Sequence, residues 1–286
     1  MTVRVARHGS PGPDDDAYAQ ALGEGLTRTI AVLERSPRMF DGAMGGADTY
    51  LHACLAVNPD ASRLRTWEAT VTAMQVSSAA FTAALRTEGN IEFRIADQLL
   101  TIPRTGPQHY TNAGNWLKAF WLSVVCREQD RMTQLCEIPL DFLRSSGVEY
   151  DEYVYHWIDA LQTYWLERPE LGEKLVDAIQ MSSPEVAQIA DREALDKILY
   201  QPINLFQYFL RKDREGFHQA LVEALELHKS FWTESEAREE SVEGYLALGP
   251  LAIACLAHDA GIPIDVESDY IPSQLLNRAW LGEFPT

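Results

Sequence analysis

The sequence is poor in cysteine and has no long hydrophobic run. It contains four cysteines in 286 residues, widely spaced and without a CxxC pair, which excludes a disulfide scaffold or a cysteine-rich zinc module. No apolar run reaches the roughly 18 residues that a membrane span needs. The N-terminus, MTVRVARHGSPGPDDD, has no apolar stretch typical of a signal peptide. We therefore expect reduced, mostly buried thiols in a cytoplasmic protein that does not contact membranes. These cysteines are Cys54, Cys126, Cys136 and Cys255.

Basic side chains are also scarce. The chain carries 24 Lys and Arg against 42 Asp and Glu, a formal net charge of −18. The imbalance is uneven, because residues 141–286 hold 27 of the acidic and only 11 of the basic side chains. Such a surface disfavours direct nucleic-acid binding, which requires a basic footprint. It attracts basic partners, although a negative surface also serves solubility alone.

The common catalytic motifs are missing. The sequence contains no GxSxG, GxxxxGK[ST], GxGxxG or HExxH, so no catalytic residue, metal ligand or cofactor is predicted. The best enzyme candidate is His258-Asp259 in LAHDAG, because helical metal-dependent phosphohydrolases use a His-Asp pair. His52 or His228 would have to complete that site, and no spacing in the sequence favours it. An all-α metal-dependent hydrolase is therefore a less favoured alternative to a non-enzyme.

Apolar residues recur at helical spacing through most of the chain. This predicts a mainly α protein, built as a multi-helix bundle or an irregular stack of antiparallel helix pairs. The long Gly- and Pro-free stretch at 61–87 predicts one helix, and residues 14–35 predict another. Alternation over 91–102 predicts one short β-hairpin.

The predicted domain organisation is simple. Residues 1–13 are expected to form a loose N-terminal arm, and residues 14–286 a single α-helical domain. If the domain has two lobes, the TGP sequence at 105–107 is the best place to divide it.

The stretch YDEYVYHWIDALQTYWL at 150–166 is unusually aromatic. On a helix, its apolar stripe has core spacing, so we expect most of the aromatic residues to be buried. The stripe comprises Val154, Trp157, Ile158, Leu161 and Trp165. The opposite face is expected to expose Glu152, Tyr155 and Asp159, with Asp151 at the helix start. This set predicts a partner-binding patch, with a merely solvated face as the alternative.

A second acidic patch is predicted near the C-terminus. The loop IPIDVESDYIP contains Asp265, Glu267, Asp269 and Tyr270. Acidic side chains beside a tyrosine are suited to binding a basic partner, because the charges steer its approach and the ring supplies contact area.

Three segments resemble a known family. They are GNWLKAFWLSVVCREQDRM at 114–132, YDEYVYHWIDALQTYWLERPEL at 150–171 and LALGPLAIACLAHDAGIPIDVESDYIPSQLL at 246–276. These segments, and the sequence character of the whole chain, are similar to the immunity protein 49 family of bacterial polymorphic toxin systems. The resemblance implies a mainly α-helical cytoplasmic protein that neutralises a basic toxin domain, with a nuclease of the HNH type as the expected partner. A helical-repeat scaffold that binds a host protein or peptide is the alternative.

Overall fold

Helices dominate the structure, as the apolar periodicity predicts. The computed structural model describes residues 2–85 and 89–283. The helices are α1 (Asp15–Ile30), α2 (Phe40–Val57), α3 (Leu64–Leu85), α4 (Ala113–Cys126), α5 (Gln129–Cys136), α6 (Leu140–Arg144), α7 (Glu152–Trp165), α8 (Leu171–Met181), α9 (Arg192–Ala194), α10 (Gln201–Leu210), α11 (Arg214–Trp232), α12 (Glu236–Glu239), α13 (Leu248–Asp259) and α14 (Ser273–Leu276). The strands are β1 (Val3–Arg4), β2 (Asn90–Ile95), β3 (Gln98–Pro103) and β4 (Val266–Glu267). The predicted fold class is confirmed.

The described chain divides into two units. The unit called here the acidic unit contains the N-terminal residues up to Gly9 and Glu149–Ala279. The other, called the hairpin unit, contains Ser10–Val148 and the residues from Trp280 onwards. The predicted single α-helical domain with an N-terminal arm stays a prediction.

In the hairpin unit, successive helices pack on one another. Helix α2 contacts α1 and α3, α3 also contacts α4, and α4 contacts α5. Trp116 of α4 is fully buried, stacks on Phe120 at 5.1 Å and donates its indole N–H to the carbonyl of Leu135 at 2.8 Å. A large buried aromatic side chain with a satisfied polar group is a strong local source of stability.

The predicted hairpin is present as β2 and β3. The strands are antiparallel, with Ile91 opposite Ile102 and Phe93 opposite Leu100. Burial alternates along both strands, which explains why the period of two was legible in the sequence. The turn residue Ala96 has φ of 51° and donates its N–H to Gln75 Oε1 at 2.7 Å.

Two predicted helices differ at their ends. Helix α3 begins at Leu64, because Asn58 Oδ1 accepts the N–H of Arg63 at 2.8 Å and holds the preceding residues in a loop. The predicted residues 86 and 87 lie outside the described part. Helix α1 stops at Ile30 rather than 35, because the chain tightens there into i to i+3 bonds, such as Leu33 N–H to the Ile30 carbonyl at 3.0 Å.

In the acidic unit, α7 packs against α8, and α10 packs against α11 and α13. The ring of Phe206 on α10 meets Trp157 and Tyr164 of α7 edge-on, each at 5.2 Å. The apolar stripe of α7 is buried from Val154 to Leu161. The predicted core role is confirmed for Val154, Trp157, Ile158 and Leu161, whereas Trp165 at the end of the stripe is half-buried. Three of the six aromatic side chains in this segment are buried and three are half-buried.

The N-terminal residues form a strand pair that the sequence did not predict. Strand β1 lies parallel to β4, with Val3 opposite Val266. The N–H groups of Val3 and Val5 donate to the carbonyls of Asp265 and Glu267, both at 3.0 Å. Val5 and His8 are buried. Residues 3–8, inside the segment expected to be a loose arm, are therefore packed within the acidic unit.

Candidate partner-binding surface

The excess negative charge lies mainly on one unit. The acidic unit carries 25 acidic and 12 basic side chains, a net charge of −13, whereas the hairpin unit has a net charge of −5. Both predicted patches belong to the acidic unit. A basic partner would therefore be attracted chiefly to this unit.

Asp151 is not part of an open surface. Its side chain is only 8% exposed, and it receives the N–H groups of three successive residues. Oδ1 accepts from Gln188 at 2.6 Å and Ile189 at 3.0 Å, and Oδ2 accepts from Ala190 at 2.7 Å. Burial by itself raises the pKa of Asp151, but the three N–H donors outweigh it and hold that pKa below its usual value. The carboxylate thus fixes the backbone of 188–190.

The polar strip of α7 is more covered than predicted. Tyr155 is only 3% exposed and meets Tyr150 edge-on at 6.4 Å, so the expectation that it is exposed is wrong. The helical pattern identified the more apolar face of α7 but could not show that the opposite face would also be covered. Asp159 is half-buried and accepts from Lys174 of α8 at 2.6 Å, an interaction that raises the lysine pKa. Glu152 is exposed.

The second patch is divided in the same way. Asp265 and Glu267 are exposed, and their carbonyls accept from β1 as described above. Asp269 is half-buried. Tyr270 is completely buried, so the expectation that its ring offers contact area to a partner is wrong. Its backbone carbonyl accepts the N–H of Ala247 at 3.0 Å, which ties the loop to the start of α13.

Tyr270 also fastens the N-terminal residues through His8. Its hydroxyl accepts the backbone N–H of His8 at 3.0 Å and donates to His8 Nδ1 at 2.7 Å. Burial raises the pKa of Tyr270 to about 12 and, together with the charge of Arg7, lowers that of His8. Gly244 packs closely against the His8 ring. A Cβ atom at Gly244 would lie 2.8 Å from both His8 and Trp232. Only glycine fits at that position without displacement.

The eight predicted residues therefore have different places in the structure. Three carboxylates are exposed on the acidic unit: Glu152, Asp265 and Glu267. Two more are half-buried: Asp159 and Asp269. Three side chains are buried: Asp151, Tyr155 and Tyr270.

Sequence reasoning missed an exposed apolar segment. Val186 is 45% exposed and Ile189 is 57% exposed. Ile189 lies within the backbone that Asp151 holds, and Val186 lies two residues before it. The only signal in the sequence was aliphatic side chains in the short polar connection PEVAQIAD between two helices.

The alternative His258-Asp259 site is not assembled. His258 Nδ1 lies 3.2 Å from Asp259 Oδ1, and Arg278 Nη1 lies 3.8 Å from the same oxygen. His228 Nε2 pairs with the carbonyl of Gly244 at 2.9 Å, and His52 Nδ1 pairs with that of Asp48 at 2.8 Å. Within residues 2–85 and 89–283, no three His, Cys, Asp or Glu side chains are grouped as metal ligands.

Among the described residues of the hairpin unit are clefts of about 650 Å³ and 460 Å³. The smaller is lined by Tyr50, Trp67, Glu68 and Asp97, among others. Burial and then the charge of Asp97 raise the pKa of Glu68. Neither cleft contains a residue of the predicted patches.

All four cysteines are buried and unbridged, as expected. In the part of the chain that the structure describes, no helix is both long and apolar enough to cross a bilayer.

Comparison with known proteins gives one match. The family model described as immunity protein 49 matches residues 58–275, which is more than half of the chain. All eight predicted patch residues lie inside the matched range. Searches of curated proteins and of solved structures found no match.

Proposed function

The chain belongs to the immunity protein 49 family, and from this membership we propose that it binds and neutralises a cognate toxin domain of a bacterial polymorphic toxin system. The family match is the observation that carries the proposal. The role needs no catalytic centre, since a bound toxin is inhibited for as long as the complex lasts.

The proposed partner is a basic toxin domain, and specifically a nuclease of the HNH type. Nucleases carry basic clefts that face the phosphates of DNA. The net charge of −13 on the acidic unit is complementary to such a cleft. Charge complementarity raises the association rate of a complex, and the rate then falls as salt screens the field. The same charge disfavours direct contact of this protein with nucleic acid.

The proposed binding surface is built from both acidic patches. Glu152, Asp265 and Glu267 are exposed and supply the charge that meets the toxin. The buried residues of the two patches support this surface by ordering its backbone. Asp151 holds the backbone at 188–190, and Tyr270 holds the N-terminal strand against the loop that carries Asp265. We place the encounter in the cytoplasm, where a nuclease would reach DNA.

Co-expression in a test bacterium would examine this function. The C-terminal toxin domain encoded nearest this gene is induced with and without the protein. We expect survival only when the protein is present, and reduced survival with the double charge reversal Glu152→Lys, Glu267→Lys. The matched control is Glu92→Lys, an exposed reversal on the hairpin unit, which should protect like the wild type.

Cell death despite soluble, abundant wild-type protein would contradict neutralisation of that toxin. Equal protection by the wild type and the double reversal would place the acidic contact elsewhere on the protein.

A further inference from the structure

The segment 183–191 presents aliphatic side chains outward. It connects α8 to α9 and begins with a turn in which the Ser183 carbonyl accepts the N–H groups of Val186 at 2.9 Å and Ala187 at 3.0 Å. Ala187 is 8% exposed, whereas Val186 and Ile189 are 45% and 57% exposed. The segment therefore packs inward through Ala187 and shows two β-branched side chains to solvent.

Asp151 fixes this segment from inside the acidic unit. Its two oxygens receive the N–H groups of Gln188, Ile189 and Ala190, at 2.6 to 3.1 Å. Hydrogen bonds to an ionised carboxylate are stronger than those between neutral groups. The backbone on either side of Ile189 is thereby ordered in the free protein. A contact made by a preordered backbone loses less conformational entropy on binding.

The surroundings of the exposed aliphatic pair are acidic. Glu185 and Asp191 flank the pair in sequence and are exposed. Glu152, which directly follows Asp151 in sequence, is also exposed. The nearest basic side chain in sequence, Arg192, approaches Asp196 at 4.0 Å. An apolar centre within a charged rim is the usual anatomy of a tight protein interface. The negative rim selects a partner whose own apolar recess is surrounded by Lys and Arg.

We propose that Ile189 is an apolar anchor for the basic toxin domain and that Asp151 is the positioning residue that displays it. This inference rests on the proposed function and adds the contact that sets the lifetime of the complex. The carboxylates of the acidic unit attract the basic toxin domain. Ile189, with Val186 beside it, then inserts into the apolar recess of that domain.

Binding kinetics test the anchor. A catalytically inactive form of the toxin domain encoded nearest this gene is immobilised, and the full-length protein is passed over it. We expect Ile189→Ala to raise Kd by about 30-fold, the loss typical of a central anchor, mostly through faster dissociation. Ile189→Lys should raise it further. The matched control is Leu99→Ala, which truncates a 64% exposed aliphatic side chain on the hairpin unit and should change Kd less than twofold.

Two measurements separate positioning from a general structural role. In the free protein, Asp151→Asn should speed amide hydrogen exchange at residues 188–190 while amides in α10 and α13 keep their protection. In a double-mutant cycle, Asp151→Asn and Ile189→Ala should be clearly less than additive in their effect on Kd, because the first acts through the second. Full additivity, or unchanged exchange at 188–190, would overturn the positioning role.

The outcomes distinguish this inference from the proposed function. If the wild type does not bind the toxin domain, the proposed function fails for that toxin and the anchor fails with it. If the wild type binds and both Ile189 variants bind equally well, only the anchor is refuted. If Ile189→Lys instead converts an oligomer of the free protein into a monomer, the aliphatic pair is a self-association surface and the proposal is overturned.

Discussion

Replacing Tyr270 by Phe should destabilise the acidic unit. The change removes one hydroxyl from a completely buried ring and leaves the ring itself in place, so it creates no large cavity. It deletes two hydrogen bonds, one with His8 N–H at 3.0 Å and one with His8 Nδ1 at 2.7 Å. Since the shape of the core is preserved, the loss can be assigned to these bonds.

The magnitude follows from those two bonds. A neutral hydrogen bond contributes about 1 kcal/mol net, so the pair should contribute about 2 kcal/mol. The backbone N–H of His8 would remain buried without its acceptor, which brings the expected loss to about 3 kcal/mol. The effect should also be local, because the Tyr270 hydroxyl helps to hold the N-terminal residues. Exchange at the amides of Val3 and Val5 should accelerate in the variant.

Urea unfolding of the variant and the wild type measures the loss, and hydrogen exchange locates it. The control is Tyr18→Phe, which removes a hydroxyl from a tyrosine that is 49% exposed and should change the free energy of unfolding by less than about 0.5 kcal/mol. If Tyr270→Phe is as mild as this control, or leaves the exchange at Val3 and Val5 unchanged, the proposed role of the hydroxyl in the fold is refuted.

Three further changes test other parts of the account. Leu161→Ala, in the buried stripe of α7, should cost about 2–5 kcal/mol in urea unfolding, and a cost below about 1 kcal/mol would contradict tight packing there. Folding lowers the pKa of His8, so the unfolded chain binds more protons than the folded protein does. The free energy of unfolding should therefore fall as pH drops below the ordinary histidine pKa of 6.5. The variant His8→Gln should show a flatter pH dependence between pH 7 and 5. Folding also lowers the pKa of Asp151, so its contribution to stability is present above its ordinary pKa of 3.8 and is lost as pH falls further. In an acid titration, Asp151→Asn should therefore lose less stability over that pH range than the wild type does.

The sequence was most informative where local periodicity decides the structure. The aromatic helix and the hairpin were both legible, because alternation of apolar and polar side chains records which face is buried. Capping is local in the same way: the Asp213 carboxylate accepts the N–H of Gly216 at 2.9 Å at the start of α11.

Long-range contacts were not predictable from the same patterns. The pairing of β1 with β4 joins residues 3–4 to 266–267, and no local signal marks a strand of two residues. The burial of Tyr155 depends on neighbours outside α7, so helical periodicity wrongly predicted that this side chain is exposed. An acidic residue at a helix start likewise indicates a cap, whereas Asp151 instead holds a segment 37 to 39 residues further along the chain.

Titration of the purified toxin domain with this protein tests whether binding neutralises the toxin. DNA cleavage by a fixed amount of toxin would be measured as the protein is added, in low and in high salt. We expect cleavage to stop at a one-to-one molar ratio, and we expect salt to slow the onset of inhibition. Cleavage that continues undiminished with this protein in tenfold excess would contradict neutralisation by binding.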